Sequence, residues 1–237
     1  MTKSSKTRTL ISRQQPAVVA SVISAGTSTD PGRDCPLCPR LVEYRTELRA
    51  RDPGGFNSPV PSFGASDAAL LIVGLAPGAQ GANRTGRPFT GDYAGDLLYS
   101  TLLKFGFAQG IYRADPKDGL RLVDCRIANA VRCLPPENKP LPVEFTQCRP
   151  FLQAELAVMP QVKVILALGK GAHDQILRGL TVRPAGAYPF IHNRLHALPT
   201  GLTLADSYHC SRYNTNTGRL TVEMFHAVFE SVRKVLK

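Results

Sequence analysis

The sequence predicts an α/β fold with a central, mainly parallel four-stranded sheet and helices on both of its faces. Two observations predict it. Residues 70–73, 123–131, 162–168 and 202–208 are short apolar runs of the length a buried strand needs, and the stretches between and after them carry helical spacing. Parallel strands need long crossovers, and helical crossovers cover the sheet on both sides.

In chain order, residues 1–30 are rich in Ser, Thr, Lys, Arg and Gln, with little amphipathic period, and read as a disordered basic arm. Residues 31–237 read as one domain. It opens on the pair Cys35-x2-Cys38, which leads into a helix through Leu41, Tyr44, Arg45 and Leu48. Residues 51–66, with Gly54, Gly55, Pro59, Pro61 and Gly64, form a loop into the first strand. That strand runs without a break into Gly74, Pro77, Gly78, Gly81, Gly86 and Gly91. A loop so rich in glycine lets backbone approach a ligand closely. A plain surface turn would not account for Asn83, Arg84, Arg87 and Phe89 set among those glycines.

Leu97, Leu98, Leu102, Leu103 and Phe105 have helical spacing, and Gly106 suits the helix end. The second strand ends in Ala128-Asn129-Ala130-Val131-Arg132-Cys133. A proline-rich loop, 134–142, precedes a helix over 143–156 that contains or breaks at Cys148 and Pro150. The third strand turns through Gly169-Lys170-Gly171-Ala172-His173 into another helix. Residues 181–200, with Pro184, Gly186, Pro189 and Pro199, read as an irregular insertion or a short hairpin. After the fourth strand come His209-Cys210-Ser211-Arg212-Tyr213-Asn214 and a last helix over 221–235. In such sheets ligands bind outside the carboxyl ends of the strands. Residues 76–89, Asn129, 169–173 and 209–214 each lie at such an end, so they are expected to share one crevice.

The chain of 237 residues is 43% apolar, which suits one large domain, and no apolar run approaches a membrane span. The first 30 residues lack the apolar core of a secretory signal, so a cytoplasmic location is expected. Basic residues exceed acidic ones by 11, and residues 1–34 account for only three of these, so the body of the protein is itself basic. Nucleic acid is the first partner this charge suggests. Outside a secretory context, Cys35, Cys38, Cys133 and Cys148 read as metal ligands before disulfides; spacing alone allows tetrahedral zinc or a [4Fe–4S] cluster. Cys125 and Cys210 read as small buried residues.

Taken together, Gly74-Leu75-Ala76-Pro77-Gly78, the run from Asn83 to Asp92, Asn129 to Cys133, Ala167-Leu168-Gly169 and His209-x-Ser211-x-x-Asn214 resemble the uracil-DNA glycosylase superfamily, most closely its type B, or fifth, family. The likeness runs from about Asp34 to the C-terminus. It implies a three-layer α/β/α sandwich and a structural [4Fe–4S] cluster on Cys35, Cys38, Cys133 and Cys148, which favours the cluster over zinc. It implies a monomeric enzyme that removes uracil, and other deaminated bases such as hypoxanthine, from DNA in base excision repair.

By the same resemblance Phe89 stacks on an extruded base, Asn129 hydrogen-bonds its edge, and His209 faces the carbonyl where negative charge develops. Ala76, Gly78 and Gln80 complete the base pocket. Ala76 stands where the best-known uracil-DNA glycosylases carry a water-steering aspartate, which leaves Asp92 and Asn83 as the leading polar candidates for that task. Gln80 stands where many relatives have histidine, and Cys210 where proline or valine is more usual. Ser211, Arg212, Tyr213 and Asn214 are assigned to DNA, with Tyr213 at the intercalating position. Lys170 and His173 would meet a phosphate at a helix start. A rival reading, motivated by the missing aspartate, is a non-catalytic nucleic-acid module with a four-cysteine zinc site.

Overall fold

The computed structural model describes residues 29–237; the basic arm expected over residues 1–30 lies almost wholly outside the described residues. Helix α1 spans Pro39–Arg51, with Cys38 at its N-cap and Pro39 at its first position, where a missing N–H costs nothing. Strand β1 is Leu70–Gly74 and is followed by the short helix α2, Ala82–Thr85, and by α3, Tyr93–Lys104. The two-residue strands β2, Ala108–Gln109, and β3, Arg121–Leu122, pair with each other as a small antiparallel ribbon. Then come β4, Cys125–Asn129; α4, Pro142–Ala157; β5, Val164–Leu168; and α5, Lys170–Gly179. Strands β6, Leu195–Ala197, and β7, Thr203–Ser207, precede α6, Arg212–Asn216, and α7, Val222–Leu236.

The sheet order is β4-β1-β5-β7-β6. The four expected strands pair in parallel. A fifth strand, β6, corrects the expected count: it adds antiparallel to β7 from inside the proline-rich insertion. Helix α4 continues through Pro150 rather than breaking there.

Alternation along the strands sorts the core into two faces, because successive side chains point to opposite sides of a sheet. Leu70 and Ile72 of β1, with Val164, Leu166 and Leu168 of β5, meet Leu98 and Leu102 of α3 and Phe225, Phe229 and Val232 of α7. Leu71, Val73, Ile165 and Ala167 face the other way, onto Leu152 and Leu156 of α4 and Ile176 and Leu177 of α5. The result is the three-layer α/β/α arrangement, and burial on both faces is why β1 and β5 read as unbroken apolar runs. Helix α1 docks separately, through Leu41 against Val131 and Cys148. No helix among the described residues is long and apolar enough to cross a membrane.

Candidate active site

The carboxyl ends of β1, β4 and β7 open onto a cavity of about 760 Å3, whose lining includes Ala76, Gly78, Gln80, Phe89, Asp92, Asn129 and His209. Gly74 and Asn129 are register partners across β1 and β4. The chain beyond them stays paired, with Ala130 N donating to Gly74 O at 2.9 Å and Val131 N to Leu75 O at 2.9 Å. A Cβ on Gly74 would lie 2.4 Å from Asn129 Oδ1 and 2.7 Å from Phe89 Cζ. The glycine is therefore what lets ring and amide close over the strand end. Asn129 is 3% exposed, and its Oδ1 is buried without a hydrogen-bond partner among the described residues. An unsatisfied buried acceptor is costly in a finished structure, and here it faces a cavity that a ligand can enter.

Phe89 sits at φ +52°, a left-handed conformation that a residue with a Cβ rarely adopts. Neighbours fix it there: Tyr99 Oη donates to Pro88 O at 2.7 Å, and Tyr112 Oη to Phe89 O at 3.3 Å. Just before it, Arg87 is held by Asp118 through two hydrogen bonds of 2.8 Å and lies against the rings of Phe63, Tyr99 and Tyr112. This ion pair is almost fully enclosed, and the Arg87 guanidinium holds the Asp118 carboxyl far below the usual carboxylate range. Sequence reasoning missed Asp118, because nothing local in the loop over 110–118 marks it as the partner of Arg87.

The His209 ring stands 5.9 Å from the Phe89 ring, tilted by 32°. Burial pushes its pKa down to about 4, so the imidazole is neutral at physiological pH. Its loop is braced from behind: Asn214 Nδ2 donates to His209 O at 2.8 Å, Cys210 Sγ to Ala94 O at 3.4 Å, and Ser211 caps α6 by accepting from Asn214 N. Ser211 and Arg212 line the cavity mouth, Arg212 over the ring of Tyr93, while Tyr213 projects outward, 73% exposed. Asn214, itself half-buried, thus supports the loop through its amide nitrogen.

Asp92 caps α3, accepting from Gly95 N at 3.0 Å, and burial raises its pKa. Its Oδ2 lies where a Cβ on Gly81 would be, 2.2 Å away, so Gly81 is needed to seat it. Asp96, one turn further on, also lines the cavity. Burial raises its pKa as well, and the nearby Asp92 charge adds to the effect. Asp96, Tyr93, Ala114 and Asn138 were not foreseen as lining residues; the first two follow from the helical spacing after Asp92.

Three expected placements need correction. Asn83 is buried away from the cavity, with its Nδ2 given to Asn57 Oδ1 at 2.8 Å, because the loop over 56–57 pairs with α2. The segment 169–173 does not line the cavity either. Gly169 backs the Cβ of His209, Lys170 is exposed and pairs with Asp174 at 2.6 Å, and His173 is buried. His173 Nδ1 meets Asp206 Oδ1 at 2.7 Å and its Nε2 meets Tyr188 O at 2.9 Å, so it ties the insertion to β7 and cannot touch a phosphate. An aspartate inside an apolar strand was the available signal, since a buried carboxylate demands partners.

Cys35, Cys38, Cys133 and Cys148 line one small pocket with Leu41, Arg45 and Phe151. Among the described residues, the only set of three or more His, Cys, Asp or Glu donors within 4.8 Å of one another is His173, His196 and Asp206. Arg132 N donates to Cys148 Sγ at 3.3 Å, and Arg45 Nη1 points at Cys133 Sγ from 3.8 Å. Burial raises the thiol pKa of Cys38 to about 11 and of Cys133 to about 12, and raises that of Cys148. Behind the pocket the buried guanidinium of Arg132 meets Glu155 at 2.9 Å, Ser62 at 2.6 Å and Asp30 at 3.1 Å.

A family profile described as the uracil DNA glycosylase superfamily matches residues 61–233. A type-5 uracil-DNA glycosylase of Thermus thermophilus is 45% identical over 206 residues, covering 85% of this chain and 93% of that relative. One from Mycobacterium leprae is 40% identical over 208 residues, covering 85% and 91%. A type-4 uracil-DNA glycosylase of Pyrobaculum aerophilum is 33% identical over 138 residues, covering 58% and 56%.

Proposed function

The chain belongs to the uracil-DNA glycosylase superfamily, within it to the type-5 branch, and on that premise we propose how its cavity works. It is a glycosylase of DNA repair that hydrolyses the N-glycosidic bond of uracil and leaves an abasic site. The observation that carries this reading is the meeting of Phe89, Asn129 and His209 on one cavity.

Breaking the bond leaves cationic character on the sugar and an anion on the base, so the protein must receive negative charge at the base carbonyl. The target is first flipped out of the stack, at a cost of about a few kcal/mol. Stacking on Phe89 offsets roughly 1–3 kcal/mol of this, by analogy with single-strand binders. Asn129 offers one acceptor and two donors, which match a ring N–H flanked by a carbonyl. Neutral His209 donates an N–H to the carbonyl that gathers charge as the base departs; a donor of this kind is worth about a hundredfold to a thousandfold in rate.

Deamination turns an amino group into a carbonyl and a ring acceptor into an N–H, in adenine as in cytosine. The pattern that Asn129 reads in uracil therefore recurs in hypoxanthine, and Ala76 leaves room on the wall beside it. This supports a range extending to other deaminated bases. Of the polar groups that could guide water, Asp92 and Gln80 line the cavity and Asn83 does not.

Cys35, Cys38, Cys133 and Cys148 would hold a [4Fe–4S] cluster, which supplies a brace between α1, α4 and the end of β4 and no redox step. The meeting of all four on one small pocket supports it. The donors aimed at sulfur fit a cluster as well. Free thiols suit a reducing, cytoplasmic setting, and a cavity completed within one chain suits a monomer. Arg212 and exposed Tyr213 would wedge the duplex, and Lys170, exposed outside the cavity, would meet a phosphate beyond it.

The test is direct. Purified protein incubated with duplexes carrying uracil or hypoxanthine should generate alkali-labile sites, and protein that yields none from uracil would overturn the reading. A zinc-binding, non-catalytic module would instead bind tightly with His209→Ala changing nothing.

A further inference from the structure

A second groove, of about 710 Å3, opens beside the catalytic cavity, between residues 54–56, α2 and residues 113–116. Arg33, Arg84 and Arg113 line it with the ring of Phe56, and Asp115 lines it too. Ala114 forms part of the lining of both the groove and the catalytic cavity, so the two adjoin there. Phe56 is 38% exposed yet firmly seated: a Cβ on Gly86 would come within 2.8 Å of its ring. The opposite wall is anchored as well, since Asp118 accepts from Arg113 N at 3.0 Å while gripping Arg87. Arg84 meets Asp52 only at 3.6 Å, between side chains that are both well exposed, and Asp115 Oδ1 is turned to the Lys117 N–H at 2.8 Å. The arginines thus keep most of their charge for a ligand.

We propose that this groove receives the lesion-bearing strand as it leaves the cavity, with an unpaired neighbouring base stacked on Phe56 and its phosphates against Arg33, Arg84 and Arg113. The inference rests on the glycosylase reading of the cavity and adds a preference to it. A track for duplex phosphates needs no exposed ring. A ring among arginines is the combination that holds single strands, because every unpaired base has a face to stack. Lesions whose flank on this side is unpaired are therefore the favoured substrates.

Fluorescence anisotropy on the full chain tests this with a labelled, uracil-free single strand and a blunt duplex of the same sequence. Phe56→Leu should weaken single-strand binding about tenfold while duplex binding stays within about twofold, and Phe56→Tyr should bind as the parent does. Removing two exposed charges with Arg33→Ala/Arg113→Ala should flatten the salt slope on single strands by about 1.4. Parental affinity and slope in the leucine and double variants overturn the proposal, as does equal weakening on both substrates by Phe56→Leu, or equal binding of polyglutamate. Should Phe56→Leu melt early, the double arginine variant decides through its slope. Uracil release is read separately: a parent that releases none rejects the glycosylase reading and leaves the groove to be judged by binding.

Discussion

Gly74 faces Asn129 across the β1–β4 pairing, and the missing side chain of the first is the space occupied by the amide of the second. Gly74→Ala must push Asn129 Oδ1 and the Phe89 ring apart, while leaving the buried strand and its hydrogen bonds in place. A displacement near 1 Å at reacting groups costs about a hundredfold. Single-turnover uracil release should fall by that order, with the far-ultraviolet circular dichroism unchanged.

His209 predicts an unusual pH profile. With its pKa near 4, the ring is neutral from pH 8 down to about 5. The release rate should therefore stay flat through pH 6.5, where an ordinary histidine would titrate, and decline only toward pH 4. Stability follows the same sign. The unfolded chain takes up the proton near pH 6.5 and the folded one only near 4, so the folded state loses stability as pH falls through that window. Urea midpoints should drop between pH 6.5 and 4, and His209→Asn should remove part of the drop.

The Arg87–Asp118 pair predicts a stability loss coupled to activity. Arg87→Ala leaves a carboxylate buried without its cation, at a cost of about 3–5 kcal/mol, or roughly 10 °C in Tm for a chain of this size. Uracil release should fall too, since Phe89 follows Arg87 by two residues and shares its wall of tyrosines. Calorimetry and single-turnover rates on the same preparation check both effects.

Four cysteines predict colour. Protein isolated without oxygen should be brown, with iron and labile sulfide each near four per chain and no stoichiometric zinc. Cys148→Ala should bleach it and loosen α1, read as faster proteolysis between residues 39 and 51, because Leu41 packs on Cys148 and Val131.

The parallel strands were legible because burial on both faces demands continuous apolar runs, and the crevice followed from where such strands end. Strand β6 was not, since its three residues alternate exposed, buried, exposed within a proline-rich stretch and pair only with β7. Phe89, Asn129 and His209 were legible as a set. Asn83 and His173 were misplaced for one shared reason: each has a partner distant in sequence, Asn57 or Asp206, that turns an apparently available polar group inward. Asp118 escaped notice for the converse reason, an unremarkable loop carboxylate made structural by an arginine 31 positions away.

The cavity draws Phe89 from the loop after β1, Asn129 from β4 and His209 from the segment after β7, the last parallel strand to leave the ribosome. A nascent chain lays down the ring of Phe89 and the amide of Asn129 first, and the imidazole only some 80 residues after Asn129. A product stopped before residue 209 would therefore carry the ring of Phe89 and the amide of Asn129 without the imidazole that completes this wall of the cavity.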